Sequence, residues 1–447
     1  RCAERPGSRG GVRGASQTMS GLPPLSKREG RGRAKRASIG VGAATAVVTA
    51  IASGQSVNLE RPLTLVVGTP AGGARVDRTD GARTGRTRTE LPTSGLHTAW
   101  RTPVGTMIEQ APVVDGRGTT YVIGGRGEAI ALGRDGTERW RASTGATQPG
   151  PAAILANDSV VFVDGAGEAV GVRDGSVRWR VRFGRGGAPN PAPLALDDGG
   201  VVVATAHELA LLDADGRERA RATLGEAMTL PLVAALGKVF AITASGAVWS
   251  WAPGAPELTR VASFGSPVDG GAALADDHTL VAVTAGQLHV SAVDLRRGTT
   301  TTRAVATSGL WLGPPAVRGP TVQLMLFTPT SELAVTIDAA GNEQARTLLA
   351  LHPPPVSSDG GPPALLAGPH TAPVVDAAGS FAFATAAGAI GVASKNAVEL
   401  LSDGCQAPVS GGAAVTGIAP LDIGTMVAAC RAGAVVAITG QKASSEK

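Results

Sequence analysis

Residues 97–140 read HTAWRTPVGTMIEQAPVVDGRGTTYVIGGRGEAIALGRDGTERW, and residues 141–179 repeat that layout as RASTGATQPGPAAILANDSVVFVDGAGEAVGVRDGSVRW. Trp100, Trp140 and Trp179 are spaced 40 and 39 residues apart. Each is followed by a short apolar run, mostly opened by proline. Such runs begin at Pro112, Pro151, Pro193, Pro231, Ala272, Pro315, Pro373 and Pro420. Self-similarity at a fixed period marks a repeat architecture. Inside a copy, a turn (DGRG, ANDS, DDGG) leads to a second run (TTYVIG, SVVFVD, VVVAT) and another turn to a third (EAIALG, EAVGVR, ELALLD). Most copies add a more polar fourth run, such as TERWRAS or SVRWRVRF. β-branched and aromatic runs separated by Gly/Asp turns form antiparallel strands. Four such strands in about 40 residues make one blade of a β-propeller.

The register at the two ends predicts how the ring closes. The eighth copy ends after its third strand, GAVVAITG, whereas HTAWRTPV, residues 97–104, is a fourth strand with no blade before it. Pairing them removes two exposed sheet edges. The expectation is an all-β, eight-bladed propeller of four-stranded antiparallel blades closed by residues 97–104. Seven blades is the alternative if the copy at Ala272 or at Pro315 is misread.

The pattern W…G…P-V-V…D-G…Y-V…G…A-I-A-L…D-G…W, clearest from Trp100 to Trp179, resembles the pyrroloquinoline-quinone-like (PQQ-like) repeat propellers. Pro112 and Tyr121 belong to that signature with the three tryptophans. No Trp-Asp dipeptide occurs, which separates the chain from the WD40 class. The resemblance implies a fold shared by quinoprotein dehydrogenases, an outer-membrane assembly scaffold and many binding proteins, so it does not decide an activity. The dehydrogenase branch would carry a vicinal cysteine pair and Glu, Asn and Asp ligands to calcium. The three cysteines here, Cys2, Cys405 and Cys430, include no vicinal pair. No enzyme activity, PQQ or other cofactor is therefore expected, a quinoprotein-type oxidoreductase remaining the alternative.

Composition sets the compartment. The net charge of +5 looks basic, but residues 1–36 hold ten Lys/Arg against two acids, leaving the rest of the chain acidic. This argues against a nucleic-acid partner. The uncharged stretch 37–59 follows, with SIGVGAATAVVTAIA at its centre and Ala50-Ile51-Ala52 as a cleavage pattern. That layout is a secretory signal or an uncleaved anchor, and Met19 is a candidate start. The first 98 residues contain no aromatic. A segment without large apolar side chains cannot offset its ordering entropy by a core of its own. The expected organisation is 1–52 basic segment plus signal peptide or anchor, 53–96 flexible linker, 97–441 propeller and 442–447 tail. The product would be exported to the periplasm or cell envelope, touching membrane only through residues 37–59 if these are retained.

Candidate chemistry is sparse. Asp197-Asp198 and Asp276-Asp277-His278 fall at the turn after the first strand, where Asp and Asn cap their own backbone. The six histidines show no zinc spacing, so no metal site is expected. Cys405 and Cys430 both lie in the last copy. They offer a disulfide in an oxidising compartment, or else two independent small residues, Cys430 standing where copy one has Gly125. Binding residues are expected on the rim made by loops between blades and between second and third strands. Arg126 and Arg431 occupy matching positions there, and Arg185, His207 and Trp311 lie in loops on the same side, as does the Pro-rich insertion 351–370. The leading expectation is a monomeric, non-catalytic scaffold for a protein or peptide partner. The alternatives are a cofactor-binding enzyme using the central funnel, or a membrane-tethered extracytoplasmic sensor.

Overall fold

The structure is a computed structural model. It describes residues 74, 76, 79–80 and 83–441 apart from 185–190, 229, 285–288, 305–309, 312, 329, 339–341, 352–370, 396 and 406–413. The chain divides into two units, 1–60 and 61–447, and everything described lies in the second.

Blade one is the sheet Val113–Val114, Thr120–Ile123, Glu128–Leu132 and Glu138–Ser143, in that order and antiparallel throughout. Six further blades follow with the same up-and-down order. In blade six both Leu310–Trp311 and Ala316–Arg318 pair with Thr321–Phe327, giving that sheet a fifth strand. The copies at Ala272 and Pro315 each build a blade, so the count is eight. Blade eight takes Val415–Asp422, Thr425–Cys430 and Ala434–Gln441 from the end of the chain. Its outer strand is Ser94–Pro103, antiparallel to Ala434–Gln441 with Trp100 opposite Ala437. Closure therefore occurs as the repeat register predicts, with the strand starting three residues earlier.

First strands touch first strands of neighbouring blades at most joints of the ring, including blade eight against blade one. They line the axis. Second and third strands are sandwiched between neighbouring blades, so Thr120–Ile123 and Val160–Val163 are buried at every position. Among the described residues there are eight apolar clusters, each spanning one blade-to-blade joint. Fourth strands are the most exposed of each blade, and Ser176–Arg182 alternates with one face toward solvent.

The tryptophans of the repeat work forward, onto the next blade. Trp100 Nε1 donates to Arg134 O (2.9 Å) and Trp179 Nε1 to Ala214 O (3.1 Å). The rings lie over Gly136 and Gly216, where a Cβ would fall 2.6 and 2.5 Å from the indole. The arginine after each tryptophan works backward. Arg141 donates to Val104 O (3.0 Å), Arg180 to Thr144 O, and Arg221, after Ala220, to Phe183 O. At the seam Arg101 repeats this, donating to Gly404 O of blade seven (2.6 Å). Tyr121 packs on Trp140, with ring centroids 5.8 Å apart, and its hydroxyl donates to Asp115 Oδ2 (3.1 Å).

Cys405 and Cys430 form a disulfide with a Cα–Cα distance of 5.4 Å. It joins the residue run leaving blade seven to the second strand of blade eight, at the last joint of the ring.

Candidate functional site

Inner strands present backbone groups that no neighbour in their own sheet satisfies, and buried backbone groups need partners. Here the partner is the chain itself. Ala74 N donates to Val114 O (2.9 Å) and Val114 N to Ala74 O (2.8 Å), an antiparallel bridge to blade one. Val76 bridges Ala153 of blade two in the same sense. On the way back, Val317 N of blade six donates to Thr84 O, Val375 N of blade seven to Gly85 O, and Thr87 N to Val375 O, all at 2.8 Å. Arg86 bridges Val375 in parallel. Leu91 N then reaches Asp376 Oδ2 (3.0 Å), and Gly424 N of blade eight donates to Glu90 O (2.8 Å).

An antiparallel limb followed by a parallel one makes a finger that enters and leaves the axis at the face carrying the first turns of the blades. Its two limbs are tied where Thr79 Oγ1 donates to Arg86 O (2.7 Å) and Thr84 N to Asp80 Oδ1 (2.9 Å). Gly85 has φ +66°, and a Cβ there would stand 2.7 Å from Pro373 O. Near the inner end, Arg83 is wholly buried. Its Nε donates to Leu232 O (2.9 Å), and its Nη2 to Ala192 O (2.9 Å) and Pro193 O (3.0 Å). Charge-assisted bonds of this kind compensate a buried guanidinium.

This corrects the reading of 53–96 as a flexible linker, for its described part. Ala74, Thr84, Thr87 and Thr89 are too small to form a core, but they fit a narrow axis whose walls supply the apolar surface and the hydrogen-bond partners. No pattern within residues 74–91 reports this, because the need is created by inner strands far away in sequence.

The second feature is the opposite rim. Four of the crossovers pair with the second-to-third-strand turn of the blade they enter: Gly125 N with Met107 O (2.8 Å), Gly165 N with Thr147 O (2.8 Å), Ala244 N with Ala227 O (2.9 Å) and Arg431 N with Ala414 O (2.8 Å). At the seam of blades eight and one, Ile108 N also donates to Arg431 O (3.3 Å). The turns carrying Arg126 and Arg431 thus flank the crossover residue Met107, which is 52% exposed. Arg126 is exposed, while Arg431 is half-buried with Nε lacking a hydrogen-bond partner among the described residues. The two arginines expected on the rim share this seam with Met107, which the sequence did not single out and which only their turns bring between them.

The other expected rim residues are not gathered there. His207 is exposed on the corresponding turn of blade three, away from the seam. Trp311 does not lie in a loop: Leu310–Trp311 is a strand with Trp311 opposite Leu326, because the first strand of blade six is doubled. Arg185 and 352–370 lie outside the described residues.

Of the acidic turns, Asp276, Asp277 and His278 bring potential ligand atoms within 4.8 Å of one another. Those atoms are already engaged. Asp276 Oδ1 accepts from His278 N (2.9 Å) and Thr279 N (2.6 Å), and Asp277 Oδ2 from Arg296 (2.5 Å). The His278 hydrogen bond holds the Asp277 carboxyl below its ordinary range. Asp198 is likewise used by Gly200 N (2.9 Å) and Arg219 (3.0 Å). The PQQ-like fold also raises a quinone at the axis. The residues do not fit one, since the finger fills the axis and Cys405 and Cys430 bond to each other across two blades.

Eight such blades, sealed at the axis and tied by Trp and Arg at each signature joint, define a propeller of the PQQ-like repeat class. A family model described as outer membrane protein assembly factor BamB matches residues 73–303, and the chain belongs to that family. The match takes in the axial finger as well as the first five blades. Among solved structures the chain is similar to BamB from Moraxella catarrhalis, 17% identical with a TM-score of 0.52, covering 77% of this chain and 98% of that one. It is similar also to the quinohemoprotein alcohol dehydrogenase from Comamonas testosteroni (12%, TM-score 0.62, 84% and 82%). A third is the computationally designed Ika8 protein (15%, TM-score 0.57, 78% and 99%). At these identities the likenesses show the fold. No curated protein matches the sequence.

Proposed function

We propose that this chain is a non-catalytic, exported propeller that serves as a protein- or peptide-binding scaffold in the cell envelope. One observation carries the reading: along the axis, where a propeller enzyme would place its chemistry, the chain's own described residues between Ala74 and Leu91 bond to the inner strands. What the ring offers a partner is its surface. The seam of blades eight and one presents an exposed apolar side chain, Met107, between two cations, Arg126 and Arg431, on a backbone fixed by three hydrogen bonds. Such a knob with a charged rim suits an acidic or amphipathic segment of a protein partner. Family membership supports the envelope, and the disulfide supports an oxidising compartment. Export would be directed by residues 1–52, cleaved or retained as an anchor. No helix among the described residues is long and apolar enough to cross a membrane.

The test is capture from envelope extract on the immobilised chain, beside a Met107→Asp/Arg126→Glu variant. A protein retained by the former and lost from the latter is the expected result. A stoichiometric small molecule with no protein partner would overturn the reading.

A further inference from the structure

We propose that the carbonyl-lined axis is a binding site for an extended, arginine-bearing peptide segment, and that residues 74–91 occupy it as an intramolecular ligand. The bonding is that of peptide recognition. Backbone bridges to Val114, Ala153 and Val375 hold the main chain, and one side chain, Arg83, sets the register. Main-chain pairing supplies affinity in this mode and a side-chain pocket supplies specificity. The pocket includes Ala192 O, Pro193 O and Leu232 O, contributed by blades three and four and directed at one guanidinium. A planar fork with several fixed donors matches such an array, and the compact head of lysine does not.

Topology makes the finger separable. Both limbs lie at the same face, Ala74 beside Val114 and Leu91 beside Asp376, so withdrawing the described part of the finger needs no unthreading of the ring. Blades one and two hold their limb antiparallel and blade seven holds its limb parallel. The inference is independent of the rim: rim substitutions leave the axis intact, and axial substitutions leave Met107 and Arg126 in place.

The experiment uses the full chain carrying Arg83→Ala. Its thermal midpoint should fall below that of the wild type. Millimolar ethylguanidinium, which replaces the deleted atoms, should raise it again, whereas ethylammonium at the same ionic strength should not. A labelled peptide of residues 74–91 should bind the R83A chain at least about tenfold more tightly than the wild type, whose site is already taken. The same peptide carrying the R83A change should not bind. If the variant does not fold, the readout becomes its refolding yield with ethylguanidinium against ethylammonium. An unchanged midpoint, equal rescue or equal yield with both cations, or equal binding of the two peptides would overturn the proposal.

Discussion

The Cys405–Cys430 bond lies at the last joint of a ring whose ends are brought together by the pairing of Ser94–Pro103 with Ala434–Gln441. Replacing both cysteines by alanine removes a cross-link over a sequence separation of 25 while leaving small side chains at two buried positions. Loop closure over that length restricts the unfolded chain by an amount worth about 3.5 kcal/mol at 25 °C. With an unfolding entropy of roughly 2.1 cal/mol/K per residue, a ring of about 350 residues should lose about 5 °C in thermal midpoint if it unfolds as one unit. Reduction of the wild type should produce the same shift and should leave the double variant unaffected. The bond itself is counted by alkylating the unfolded protein and weighing it. In the full chain, which retains Cys2, one thiol should react before reduction and three after; where residues 1–52 are cleaved the counts are none and two. Three reactive thiols without reductant, or equal midpoints for wild type and double variant, would refute the reasoning.

Glu332 is wholly buried where blade six meets blade seven, its Oε1 accepting from Ala386 N (2.9 Å), and burial pushes its pKa up to about 7. A carboxyl whose folded pKa lies above its unfolded one binds more protons folded. Stability should therefore fall as pH rises from about 4.5 through 7, by up to about 3 kcal/mol, and Glu332→Gln should flatten that slope in denaturant titrations at several pH values. Gly85→Ala puts a Cβ 2.7 Å from Pro373 O at φ +66° and should loosen the finger at a cost of about 1–3 kcal/mol. Faster tryptic cleavage after Arg83, Arg86 and Arg88 reports it. Gly105→Ala, with φ +73° and nothing within 4 Å, is the control for backbone strain alone and should not speed cleavage there.

The ring was legible because its information is local and repeated. Pro112 to Trp140 contains a whole blade, with its turn residues, its two fully buried strands and its half-buried fourth strand, and the repeat places the orphan strand before blade one against the unfinished blade eight. Arg126 and Arg431 could be matched because the repeat preserves position. Single departures from the repeat were less legible. Glu332 sits in the run ELAVTI beside Ala386 of the next blade, and nothing in its own run marks it as buried at a joint. Trp311 belongs to an extra strand that only its pairing with Leu326 reveals.

By itself, the sequence determined the class and the route of closure and favoured eight blades over seven, since each depends on a pattern repeated every period. Tertiary structure alone decided what fills the axis. Residues 74–91 carry no core of their own and read as spacer until eight inner strands, brought together from the whole length of the ring, present backbone groups that must be satisfied and three carbonyls that accept Arg83.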